Sequence, residues 1–441
     1  MANWKKRALP LAIASLLAGM APASQAISLQ QAYEAALKND PAYRSAYYTS
    51  EAGKENRALG LSNLLPTLQG SYSASQNRST VNYGLGDKPQ DYISRSATVQ
   101  LRQSLFNLDG WFRYKQGSTQ ARYAESQLSS QQQEVIVRVV GAYLDVLYKQ
   151  DLLQLATAER DTYLEQRKVN DQLFAKGEGT RTDMLETQAR LDASEAQLLE
   201  TRDALTASRD TLMQIVGGDI GELDLLVQDF HPREVDSVSF EQWKTIALEK
   251  NPDIQSARLG LEMAQLDLKR QKSGHAPRID FVGTYGKTSS DSITTINQDQ
   301  TIRSIGVQAS IPLYAGGSIS AQTRQSAANL GKAEADLQLQ KDKVLLELRK
   351  DFTALSSSIA RLAALDKSVA SAHVLIDATT RSVAAGVRIN LDVLNARQQM
   401  YVSKRDQAQA RYNYLLTTLR MRAAVGSLNS DDVRALAPYF R

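Results

Sequence analysis

The 441-residue chain contains no cysteine, only ten prolines and three histidines, and no run of 18 consecutive apolar residues. Each scarcity closes a route. Without thiols there can be no disulfide, no Cys-ligated zinc or iron–sulfur cluster, no thiol nucleophile and no acylated N-terminal cysteine. His231, His275 and His373 are too scattered to suggest a histidine metal site. The missing apolar run excludes a transmembrane helix, so the chain could enter a membrane only as a β-barrel. An excess of one charge is also absent. The 52 Lys and Arg face 48 Asp and Glu, and a near-neutral chain is a poor candidate for binding nucleic acid. Sparse proline with abundant Ala, Leu, Gln, Ser and Arg points instead to long helices.

The N-terminus carries an address. Lys5-Lys6-Arg7 precede an apolar stretch from Ala8 to Ala21, followed by small residues ending Ser24-Gln25-Ala26. This order reads as a secretory signal peptide, residues 1–26, cut after Ala26. Its removal leaves 49 basic residues against 48 acidic ones.

The remainder repeats itself. Asn39-Asp40-Pro41 matches Lys250-Asn251-Pro252, and Pro66 matches Pro277, at a spacing of 211. Leu105-Phe106 matches Leu313-Tyr314 at 208. Ala124-Glu125 matches Ala333-Glu334, Gly177 matches Gly386, Asp183 matches Asp392 and Val216-Gly217 matches Val425-Gly426, all at 209. The change of spacing falls between Pro66 and Leu105, where a shorter loop in the second copy would absorb it. A unit this long is a duplicated half-structure, not a solenoid repeat. The expected division is a first repeat over 27–217, a Gly-rich linker over 218–237, a second repeat over 238–426 and a tail over 427–441.

Each copy reads as helix, helix, hairpin, very long helix, tip and long helix. Helices are expected over 29–38 and 42–64, stopped by Pro41 and Pro66. After each proline apolar and polar residues alternate. Leu68, Gly70, Tyr72 and Ala74 oppose Thr67, Gln69, Ser71 and Ser73, and Ala97, Val99, Leu101 and Leu105 follow across a polar loop placed at 76–92. Ile279, Phe281, Gly283 and Tyr285, then Ile305, Val307, Ala309 and Ile311, repeat this beyond a loop at 288–301. Strands of about nine residues, small and polar on one face, suit a barrel wall around a wet lumen. Leu101 and Val307 would face lipid, Gln100 and Gln308 the lumen. Asp109–Ala175 and Gly317–Ala384 contain no proline, and each would reach on the order of 100 Å as one helix. The return helices carry a seven-residue period: Met184, Leu191, Leu198, Leu205 and Leu212, with Thr187, Ser194, Thr201, Ser208 and Ile215 three positions on. Val393, Met400, Gln407, Tyr414 and Met421 echo it. Such a period means supercoiled packing and a structural core.

No reaction chemistry stands out. Gly286-Lys287-Thr288 lacks the first glycine of a phosphate loop, Gly177-Glu178-Gly179 is a turn without a preceding strand, and metalloprotease and serine-hydrolase motifs are missing. No enzymatic activity, cofactor or metal is expected. Four strands cannot close a barrel alone, because the smallest single-chain barrels need about eight. Several copies must therefore share one barrel.

The Pro-led strand Leu64-Leu65-Pro66-Thr67-Leu68 and the phrases Leu313-Tyr314-Ala315-Gly316-Gly317 and Ala385-Gly386-Val387-Arg388-Ile389-Asn390-Leu391-Asp392 resemble the TolC outer-membrane efflux family over essentially the whole mature chain. The resemblance implies a mainly α fold with a β-barrel part. In it, long antiparallel coiled coils form a periplasmic tunnel and a homotrimer shares a 12-stranded barrel embedded in outer-membrane lipid. Implied partners are a periplasmic adaptor (membrane fusion) protein, an inner-membrane ABC transporter and a secreted protein cargo. Lacking an N-terminal cysteine, the chain looks more like members that serve type I protein secretion than like drug-efflux members. A multidrug or metal efflux duct remains the alternative, and a pore-less periplasmic coiled-coil scaffold a third. The resemblance also places adaptor contact at the tips, around Gly177, Arg181, Gly386 and Arg388. It places a periplasmic constriction at Thr182, Asp183, Arg388 and Asp392, with Asn395 and Val383 standing where some members carry an aspartate and a tyrosine. Read as ordinary turns, the tips would use Thr182 or Asp183 and Asn390 as helix N-caps.

Overall fold

A computed structural model describes residues 27–82, 84, 86–227, 230–232 and 239–441. The expected signal peptide lies outside the described residues, as do 228–229 and 233–237 of the expected linker and residue 238, the first of the expected second repeat. The chain begins with three short helices, α1 (Leu29–Asn39), α2 (Pro41–Lys54) and α3 (Asn56–Ser62). A hairpin follows, β1 (Thr67–Asn82) and β2 (Asp87–Phe106), then α4 (Leu108–Ala175) and α5 (Arg181–Val216). The second half repeats the order with α6 (Phe240–Lys250), α7 (Pro252–Lys272), β3 (Arg278–Ser289), β4 (Asp299–Ser310), α8 (Ser318–Ala384) and α9 (Asn390–Val425), and closes with α10 (Ser430–Leu436).

The proline signals act as read. Asp40 ends α1 and, through its side chain, caps α2 at Ala42 N; Asn251 caps α7 in the same way. The expected single helix over 42–64 is interrupted at Glu55. There Asn56 Nδ2 takes the Gly53 carbonyl at 2.9 Å, and a side chain that satisfies a backbone acceptor competes with the helix. Capping boxes open both short lead helices, Ser28 with Gln31 and Ser239 with Gln242.

The four strands form one antiparallel sheet in the order β1-β2-β3-β4, which leaves β1 and β4 as unpaired edges. The strands are longer than about nine residues. Most of 76–92, expected as a loop, pairs between Gln76↔Ile93 and Asn82↔Asp87. Polar cross-strand contacts such as Arg78–Asp91 and Ser75–Ser94 hold this extension. The faces match the alternation. Leu68, Leu101, Gly283 and Ile305 lie in register on one face, while Gln69, Gln100, Thr284 and Ser304 lie on the other. Leu68, Ile305 and Val307 are 72%, 83% and 65% exposed, too much apolar surface for a lone soluble sheet. Among the described residues no helix is long and apolar enough to cross a membrane.

The helices α4 and α8, 68 and 67 residues long, confirm the two long spans. α5 and α9 return along them and bury the seven-residue stripe: Leu191, Leu198, Leu212, Thr187, Ser194, Thr201 and Ser208 in the first copy, Val393, Met400, Tyr414 and Met421 in the second. The main core gathers where the lead helices cross the long ones, around Leu29, Ile136, Tyr143, Leu212, Ile254, Leu348 and Leu415. The joints are duplicated there as well. Asn39 Nδ2 holds the Val216 carbonyl at 2.8 Å, and Asn251 Nδ2 holds that of Ala424 at 2.9 Å. Residues 427–441, read as a tail, fold back, with Leu428, Val433, Leu436 and Phe440 buried and Arg441 exchanging backbone bonds with Leu225.

Candidate functional site

The two helix tips farthest from the sheet are built alike. α4 stops at Ala175, and Gly177 takes φ of +76°, the left-handed region that an L side chain resists. Glu178 N then closes on the Leu173 carbonyl at 2.9 Å. At the other tip Gly386 takes φ of +72°, and Val387 N closes on the Ser382 carbonyl at 2.9 Å. The N-caps differ from the expectation. α5 is capped by Thr180, not by Thr182 or Asp183, and Asp183 completes the capping box by accepting from Thr180 N at 3.3 Å, with Thr180 Oγ1 donating to the same carboxylate at 2.6 Å. At α9 Ile389 occupies the cap position without a side-chain bond, and Asn390 is already helical. Asn390 instead turns its side chain inward, toward Thr187.

The residues singled out by resemblance are all at the tips. Arg181, Thr182, Arg388 and Asn395 are exposed; Asp183, Val383 and Asp392 are half-buried. Among the described residues no ion pair joins Arg388 to Asp183 or to Asp392 within the chain. Asn395 Oδ1 accepts from Arg190 Nη2 at 2.9 Å. Phe174, Leu185, Val387 and Ile389 are exposed around the same tips, apolar surface suited to contact with another protein.

Sequence reasoning missed what fastens the tips together. Buried Asn170 of α4 donates to Thr187 Oγ1 at 2.7 Å, Thr187 donates to the Asp183 carbonyl at 2.8 Å, and Asn390 Nδ2 reaches Thr187 Oγ1 at 3.3 Å. Gln166 Nε2 bridges Asn170 and Asn390 at 3.2 and 3.3 Å. One uncharged network thus ties α4, α5 and the start of α9. Tyr401 OH adds a bond to Thr162 Oγ1 at 2.9 Å, and beside it burial raises the Glu159 carboxyl while Arg190 opposes the rise. Tyr163 is pushed up to about 12, chiefly by burial. Thr187 read only as a small packing neighbour; a polar residue on a buried stripe was the available signal.

A second polar cluster sits on the polar face of the sheet, where the strands meet the helices. Asp280, 2% exposed, accepts from Arg102 Nη2 at 2.6 Å, Ser104 Oγ at 2.8 Å and Arg278 Nε at 3.1 Å. A carboxylate with three donors is fully satisfied, so the cluster reads as the anchor of the strand base.

A sheet apolar on one face, two raw edges and paired coiled coils ending in matched tips define an outer-membrane channel subunit. The family model described as outer membrane efflux protein matches residues 32–218 and 243–427, and the chain belongs to that family. It is 37% identical to the alkaline protease secretion protein AprF of Pseudomonas aeruginosa over 94% of this chain and 88% of that protein. It is 34% identical to the proteases secretion protein PrtF of Dickeya chrysanthemi over 99% and 96%. The solved structure of the Campylobacter jejuni CmeC outer membrane channel superposes with a TM-score of 0.79 at 18% identity, covering 94% of this chain and 90% of that one, and shows the same fold.

Proposed function

We propose that three copies of this chain close one outer-membrane barrel and form the exit duct of a type I, ABC transporter-driven protein secretion system. The observation that carries the reading is the four-stranded sheet itself. Its edges β1 and β4 are unpaired, a state that hydrocarbon does not tolerate, and its apolar face is exposed. A second copy's β4 can pair with β1, and repetition closes the ring. The sheet runs directly into α4 and, after a short link, into α8, so the barrel continues as a tunnel into the periplasm. AprF and PrtF, named for protease secretion, suggest the cargo class. Conduction asks no covalent chemistry of the chain, so it acts as a conduit and not as an enzyme.

The tips take the remaining roles in this reading. Gly177, Arg181, Gly386 and Arg388 meet the adaptor, which couples the duct to the transporter. Thr182, Asp183, Arg388, Asp392 and Asn395 form the constriction, with Arg388 reaching Asp183 of a neighbouring copy, since the two do not pair within a chain. Copies of Asp392 around a narrow axis would repel one another and attract cations. The test deletes the gene in its host. Cargo should accumulate inside the cell while drug susceptibility stays unchanged, and Arg181→Glu should abolish export without lowering trimer yield. Intact export with raised drug susceptibility would favour an efflux duct.

A further inference from the structure

On three strands of the outward face the apolar run nearest the helices is followed by a cation, with Ile93 lying beyond Arg95 on β2. Counting away from the helices, β2 presents Leu101, Val99 and Ala97 and then Arg95; β3 presents Phe281, Gly283 and Tyr285 and then Lys287; β4 presents Val307 and Ile305 and then Arg303. The register places these three cations on one diagonal. Ala97 opposes Lys287, with Arg95 the next outward residue on β2; Tyr285 opposes Arg303, with Lys287 the next outward residue on β3. Diagonal neighbours on a sheet face stand about 7–8 Å apart. All three are exposed, and among the described residues none has an ion-pair partner. Arg303 rests against the Tyr285 ring, 5.7 Å from its centroid. The nearest outward carboxylate on β4, Asp299, lies two outward positions beyond Arg303, in the register row of Arg95 but separated from it by Ser289. A cation facing hydrocarbon is unfavourable, so the diagonal marks where the apolar layer gives way to headgroups.

Two shallow grooves run from this diagonal into the apolar rows, one on each side of Tyr285. One, near 400 Å³, is lined by Gly70, Tyr72, Ala97, Val99, Tyr285 and Lys287. The other, near 470 Å³, is lined by Leu68, Leu101, Gly283, Tyr285, Ile305 and Arg303. Glycine leaves the furrow open: a Cβ at Gly70 would meet nothing within 4 Å. Each groove therefore has an apolar floor and a cation at its mouth.

We propose that this face holds a phosphorylated, multiply acylated glycolipid of the outer leaflet, lipid A, with its phosphates on Arg95, Lys287 and Arg303 and acyl chains in the two grooves. The occupant follows from charge and shape together, because an anion alone would leave the grooves unfilled and a neutral lipid would leave the cations unpaired. The proposal goes beyond the duct reading but rests on its orientation, with the hairpin turns outside the cell; protease cleavage at residues 83–86 in intact cells reads that orientation separately.

The test titrates the purified full-length trimer in detergent with bisphosphorylated lipid A, dephosphorylated lipid A, phosphatidylglycerol and inorganic phosphate. Each basic residue near a charged headgroup is worth about fivefold in affinity, so Arg95→Gln with Lys287→Gln and Arg303→Gln should weaken lipid A binding on the order of a hundredfold. Dephosphorylated lipid A should bind the unaltered protein comparably weakly, inorganic phosphate should not compete, and Gly70→Leu should weaken binding with all three charges kept. Should the triple variant fail to assemble, Arg95→Gln and Lys287→Gln alone, at exposed positions, should each lose about fivefold. Undiminished lipid A binding in these variants would overturn the proposal. Equal or tighter binding of phosphatidylglycerol would make this a phospholipid surface, and displacement by inorganic phosphate would make it a free-anion site; either result also overturns it.

Discussion

At the residue scale, Asp151 and Tyr412 show how a tunnel wall holds a charge. Asp151 sits on α4, and Tyr412 OH donates to its Oδ2 at 2.7 Å from α9. Burial pushes the Asp151 carboxyl up, opposed by the Tyr412 bond and by Arg411. Tyr412 is driven up by burial and by the Asp151 charge. A carboxyl that is raised in the folded state binds its proton more tightly there than in the unfolded chain. Its stabilising contribution is therefore present below the ordinary carboxylate value and is lost as pH rises through the raised one. Asp151→Asn keeps the acceptor and removes the charge. The variant should raise the apparent melting temperature by about 1–2 °C at pH 7 and leave it unchanged at pH 3.5, as followed by circular dichroism. An equal shift at both pH values would mean altered packing instead of charge. Residues with a backbone duty, Gly177 and Gly386, were legible in the sequence because each stands at the end of a long proline-free span. The Asn170–Thr187–Asn390 network was not, because its partners lie 17 and 203 positions apart and only the supercoil brings them together.

At the scale of elements, what was legible follows from how strictly each pattern is imposed. The seven-residue stripes of α5 and α9 face another helix along their whole length, so the period survives. The hairpin ends do not face hydrocarbon on either side. Beyond the membrane layer β1 and β2 pair polar residues such as Arg78 with Asp91 and Asn77 with Ser94, and the alternation that announces a strand disappears. Twenty residues of β2 therefore looked like a short strand and a loop. Within the layer the register is a sharp commitment, because a slip of one residue turns every side chain over. In this cysteine-free chain, Gln100→Cys and Gln308→Cys should react with a membrane-impermeant thiol reagent in intact outer membranes, and Leu101→Cys and Val307→Cys should not. The reverse pattern would invert the sheet.

At the scale of the whole molecule, the duplicated joints explain why two copies make one protein. Within the first half Asn39 ties the lead helix to Val216, and within the second Asn251, one position on in the repeat, ties its lead helix to Ala424, giving α5 and α9 analogous roles beside α4 and α8. The halves nevertheless leave the sheet open at both edges, so the chain is complete only with further copies. The central claim is that these copies enclose a conduit shut at the helix tips. Single-channel conductance in planar bilayers tests it most directly, with Thr180→Ala as a control. Asp183→Ala loses both its charge and the capping box, whereas Thr180→Ala loses the box alone. The account predicts a small, cation-selective conductance for the native protein and a severalfold larger one for Asp183→Ala with Arg388→Ser. Thr180→Ala should show no such increase, and Asp392→Ala should lose selectivity and block by multivalent cations from the periplasmic side. Native conductance in the double variant, together with retained block in Asp392→Ala, would contradict it.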